Sequence, residues 1–142
     1  MAFDFIYITA ASTDQAQSIG RTLVEERLAS CVNILENMSS FFWWEGKIDQ
    51  AREAVLIAKT RNDLVPDLIA RVKALHSYTV PCVIALRVTE GNPDFLRFLA
   101  SETKPVRKRT VSRKKRKGSS VHRAPRHRQA SRKRAAKGKS KK

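Results

Sequence analysis

The spacing of apolar positions changes several times along the chain, and each change marks an element. FDFIYITA (3–10) is a short apolar and aromatic run with strand composition. Ser12 with Gln15 offers a capping box, and Ala16, Ile19, Leu23, Val24 and Leu28 follow at helical spacing, predicting an amphipathic helix over 13–28. CVNILENMSSFFWW (31–44) reads as one long strand, with a bulge expected around Ser39-Ser40. Glu45-Gly46 makes the turn, and KIDQAREAVLIAKT (47–60) runs back, more apolar towards Ile57.

Asn62 or Asp63 is the expected cap of a second helix, with Pro66 tolerated in its first turn. Leu64, Leu68, Ile69, Val72 and Leu75 form its apolar stripe, and CVIALRV (82–88) is a further strand. Asn92-Pro93 starts a last short helix, with Phe95, Leu96 and Leu99 on its buried side and an end near Thr103. The order β-α-β-β-α-β plus a terminal helix predicts an α+β fold, the ferredoxin-like βαββαβ sandwich. Right-handed crossovers put both main helices on one face of the sheet and leave the other face bare.

The hairpin sharpens that exposure. Phe41 and Trp43 point one way along a strand, Phe42 and Trp44 the other. Fourteen strand residues span about 46 Å at ~3.3 Å each, whereas a helix over 13–28 spans about 24 Å at ~1.5 Å each. The tip therefore projects beyond its own domain, carrying an apolar patch of a kind few monomers tolerate. Another copy of the same chain is the expected cover. The alternative is a bend at Ser39-Ser40 that folds the aromatics back onto their own core.

Charge divides the chain in two. Up to Thr103 there are ten Lys/Arg against thirteen Asp/Glu, a net of −3, while residues 104–142 hold nineteen Lys/Arg and no acid. All ten aromatics precede residue 104. Residues 1–103 are expected to fold as one domain, and 104–142 to form a disordered basic tail with too little apolar surface to offset its entropy. Arg113, Lys114, Lys115, Arg116, Lys117, Arg132, Lys133 and Arg134 head its clusters, suited to neutralising nucleic-acid phosphates without sequence preference. An anionic membrane surface, or no partner at all, are the competing readings. The first residues lack the basic start of a signal peptide, and no apolar run reaches membrane-spanning length. Two cysteines make no disulfide framework, so the cytoplasm is the expected compartment.

ERLASCVNI (26–34), FFWWEGKI (41–48), LIAKTR (56–61), ALHSYTVP (74–81) and VTEGNPDFLRFL (88–99) resemble, in order, the divalent-cation tolerance (CutA) family. The resemblance implies a homotrimer of ferredoxin-like subunits and a structural likeness to PII signalling proteins. It also implies a link to copper or another divalent metal, held by a cysteine, a histidine and an acid. His76 matches the family histidine, Cys82 stands where an acid is usual, and Ile8 where some members have a cysteine. His76 and Cys82, helped by Glu53, are thus the candidate metal ligands, although a histidine at a helix end is ordinarily a cap. Lys59 and Tyr78 are expected near them in a cleft between subunits. Nucleophile-elbow and phosphate-loop motifs are missing, so no enzyme is expected. The alternative function is a PII-like small-molecule sensor without a metal role.

Overall fold

The computed structural model describes residues 1–105. Elements follow in the order β1 (Phe3–Ala10), α1 (Thr13–Glu25), β2 (Cys31–Trp44), β3 (Lys47–Arg61), a 3-10 turn (Asn62–Leu64), α2 (Val65–Leu75), β4 (Val83–Val88) and α3 (Pro93–Ser101). The sheet order is β2-β3-β1-β4, with β1 antiparallel to both β3 and β4 and β2 antiparallel to β3. This is the expected α+β split-βαβ architecture with its terminal helix. Ile6, Ile8 and Ala10 of β1 and Ala54, Leu56 and Ala58 of β3 pack against Ala16, Ile19 and Leu23 of α1 and Leu68 and Val72 of α2. Gly20 lets α1 approach the sheet, since a Cβ there would meet Leu56 Cδ1 at 3.0 Å and Val32 Cγ2 at 3.1 Å.

Several element ends differ from expectation, each for a local reason. Helix α1 stops at Glu25 because Arg27 turns left-handed (φ 55°), and the Leu28 and Arg27 N–H groups bond back to the Leu23 and Val24 carbonyls. That is a Schellman cap, so Leu28 is buried as its apolar anchor and not as part of the helical stripe. Ser12 accepts from the Gln15 N–H as predicted, but the Gln15 side chain reaches back to the Ala11 N–H. Neither Asn62 nor Asp63 caps α2. They form the 3-10 turn, and Asp63 instead takes a two-pronged bond from Arg61 at 2.8 and 2.9 Å. In α3 the Asn92 cap holds, accepting from the Asp94 N–H, yet Phe95 stays exposed beside Phe98, leaving Leu99 to anchor the helix.

The bulge in β2 lies between Leu35 and Met38, with Asn37 at φ 58°, and not at Ser39-Ser40. One extra residue reverses the strand's parity. Before it, Cys31, Asn33 and Leu35 share the helix-free face with Tyr7 and Ile57; after it, Met38, Ser40, Phe42 and Trp44 do. Glu45 and Gly46, both at positive φ, close the hairpin as a type I′ turn requires. At the opposite end of β3, buried Arg61 donates to Thr103 and the Lys104 N–H bonds to the Arg27 carbonyl, so the fold's hydrogen bonding continues one residue past 103.

Candidate functional site

The helix-free face carries the candidate site. Near the end of β1, the hairpin, the loop after α2 and the floor strands enclose a cleft of about 680 Å³. Phe42 and Trp44 line the hairpin side; Tyr78 and Val80 line the loop side; Thr9, Glu53 and Cys82 lie between them.

The loop is held by three bonds that converge on two residues. Tyr78 donates its hydroxyl to Glu53 Oε1 at 3.0 Å. His76 Nε2 lies 2.7 Å from the Thr9 carbonyl, and its Nδ1 accepts from the Tyr78 N–H at 3.0 Å. Because a carbonyl only accepts, the ring carries its proton on Nε2. Both ring nitrogens are thus engaged within the chain. His76 is also the C-cap residue of α2, through its backbone N–H to the Val72 carbonyl, while its ring turns away to β1.

Glu53 is the buried carboxylate of the cleft. It is 9% exposed, and no cation lies in salt-bridge range of it among the described residues. Burial pushes the Tyr78 hydroxyl up, and its hydrogen bond to Glu53 adds to the shift. Burial likewise pushes the Cys82 thiol up, with the Glu53 charge second. Both effects disfavour the thiolate, so Cys82 lacks the depressed pKa of an activated nucleophile.

Of the residues expected at the site, Glu53, Tyr78 and Cys82 meet in the cleft with His76 behind them. Lys59 does not join them within one chain. It lies six residues along β3, about 20 Å at ~3.3 Å each, with its ammonium on the Asn33 side chain. Phe41 and Trp43 alternate to the other face of the hairpin, each 72% exposed, with Phe41 still bordering the cleft. Among the described residues no three His, Cys, Asp or Glu side chains cluster as a metal site would need. Thr9 and Asp49 were not anticipated. Asp49 faces Phe42 across the hairpin, a pairing that turn-based counting across Glu45-Gly46 predicts. The basic residues from Arg113 to Arg134 lie outside the described residues.

Comparison with known proteins identifies the family. The model of the CutA1 divalent ion tolerance protein family matches residues 5–102. The chain belongs to that CutA1 family. The divalent-cation tolerance protein CutA of Archaeoglobus fulgidus is 47% identical over 96 residues, 68% of this chain and 93% of the relative. The Thermus thermophilus protein of the same name is 43% identical over 100 residues, 70% of this chain and 97% of the relative. Among solved structures, CutA1 from Oryza sativa superposes with a TM-score of 0.73 at 37% identity, over 75% of this chain and 97% of that one. The CutA1 match thus lies wholly within the described residues.

Proposed function

We propose that this CutA1-family protein acts as a homotrimer in the response to divalent metal ions, in the cytoplasm and without catalysing a reaction. The observation that carries the reading is the helix-free face. Leu35, Ile84 and Leu86 are each more than half exposed there, beside half-buried Phe5, Tyr7 and Ile57. Phe41, Trp43 and Ile48 add an exposed apolar surface on the projecting hairpin. Apolar area on this scale resembles an obligate interface. The native mass of the full chain tests it: three copies are expected, and Leu86→Lys should yield monomer or aggregate because a charge would be buried unpaired. A monomeric wild type would end the proposal.

Among the described residues one chain supplies too few donors for a metal such as copper: Cys82 and Glu53 share the cleft, while His76 is occupied. A symmetric assembly multiplies each donor by the number of copies. Copper affinity is therefore expected to fall on Cys82→Ser and to survive His76→Gln. The tail from Lys104 is proposed to hold nucleic acid through its phosphates.

A second reading, small-molecule sensing, is favoured by a specific observation: the cleft volume of about 680 Å³ falls within the roughly 300–1,000 Å³ of ligand pockets.

A further inference from the structure

The basic tail carries one motif twice. RKRTVSRKK (107–115) and RHRQASRKR (126–134) align without a gap as R-x-R-x-x-S-R-K followed by Lys or Arg. A serine takes the same place in each, Ser112 and Ser131, with arginine five and three residues before it and arginine then lysine after it. Where charge alone matters, lysine and arginine interchange; here the two arginines before each serine recur as arginine.

On an extended chain, residues two apart face the same way. The two guanidiniums before each serine thus form parallel forks that fit carboxylates two-pronged, as an ammonium cannot. Nucleic-acid phosphates also accept such forks, but they have no use for a hydroxyl at a constant offset beyond them. An acid-lined enzyme cleft that reads the charge pattern and acts on the hydroxyl uses both features, and protein kinases choose substrates in this way. The folded domain supplies a contrast. Ser30 also follows an arginine by three residues, Arg27, but has Glu25 in the earlier place. It is 7% exposed, and its hydroxyl donates to the Lys59 carbonyl at 3.1 Å, so it is closed to an enzyme. The Lys104 N–H bond to the Arg27 carbonyl ties down the end of the domain, and both repeats begin beyond it.

We propose that Ser112 and Ser131 are phosphorylation sites of an arginine-directed protein kinase, and that their phosphates release the tail from nucleic acid. In the transfer, serine Oγ attacks the γ-phosphorus of a nucleoside triphosphate and the bond to the β-phosphate oxygen breaks. The nucleoside diphosphate leaves, and the hydroxyl proton passes to the kinase's catalytic aspartate. Each phosphate brings about −1.5 to −2 charges at pH 7 into a segment of nineteen Lys/Arg and no acid. Neighbouring guanidiniums then pair with it in place of nucleic-acid phosphates. The release rests on the nucleic-acid reading of the tail; the modification stands without it.

The test treats the full chain with Mg-ATP and the catalytic domain of an arginine-directed serine kinase, and locates phosphate by peptide mass spectrometry. Ser112 and Ser131 are expected to react at least about tenfold faster than Thr110 and Ser119, which have arginine at the nearer place only, and Ser30 not at all. Arg107→Lys with Arg109→Lys keeps the charge and should slow Ser112 about tenfold while sparing Ser131. Equal rates at all four tail positions, or an unchanged Ser112 rate in the lysine variant, would overturn the sites. Binding to a short DNA duplex is then measured before and after treatment. The slope of log affinity against log salt should flatten by about 1.4–1.8 for each phosphate, and Ser112→Ala with Ser131→Ala should bind alike with or without the kinase. Unchanged affinity of the phosphorylated chain would overturn the release alone. A chain that fails to bind before treatment would overturn the nucleic-acid reading and the release with it, while the mapped serines still decide the modification.

Discussion

At the scale of single residues, two carboxylates set local charge in opposite ways. Among the described residues Glu53 has no cation in salt-bridge range, and its charge adds to the burial that raises the Cys82 thiol, so Glu53→Gln should lower it. In a Cys31→Ser background, alkylation of Cys82 should then begin at lower pH than in the parent; an unchanged profile would remove Glu53 as a cause. Asp63 is the reverse case. Arg61, first through its hydrogen bonds and then through its charge, holds the Asp63 carboxyl below its ordinary value. A depressed folded-state value means stability present above the unfolded value and lost as pH falls through the folded one. Asp63→Ala strands two donor groups of a guanidinium that is only 2% exposed, at a cost of about 1–3 kcal/mol near neutrality. Urea titrations at pH 7 and pH 2 should show the difference from wild type shrinking in acid.

At the scale of elements, the β2 bulge decides what the hairpin presents. Asn37 adopts a left-handed backbone that asparagine tolerates and β-branched residues resist. Asn37→Gly should be close to neutral and Asn37→Val should cost about 1–2 kcal/mol, read by chemical denaturation. The larger consequence is parity. Removing the bulge would turn Phe41 and Trp43 towards the cleft side and Phe42 and Trp44 away from it. The contact of α1 with the sheet is similarly local: Gly20→Val would overpack against Leu56 and Val32, with an expected loss of about 1–3 kcal/mol.

At the scale of the whole molecule, an acidic domain and a tail of nineteen cations make separate predictions. DNA affinity should fall steeply with salt, be indifferent to sequence, and vanish on truncation after residue 105, where the Lys104 bond to Arg27 is kept. Retained binding by the truncated chain, or a flat salt response, would refute the tail's role. If three copies assemble, about 57 tail charges leave one particle, and multivalency strengthens binding without any new contact.

Periodicity and end signals were enough to read the element order and the bare sheet face, because helix and strand spacings are set by neighbours in sequence. The four hairpin aromatics and the Asn92 cap were legible for the same reason. The helix end at Arg27, the bulge at Asn37 and the loss of the Asn62 cap were not. Each depends on a backbone conformation that is stable only with a partner far along the chain, such as the sheet under Leu28 or Thr103 against Arg61. The cleft belongs to the same class. Glu53, Tyr78 and Thr9 are separated by dozens of residues, and only the packed fold closes the distance and buries the carboxylate that gives the site its sign.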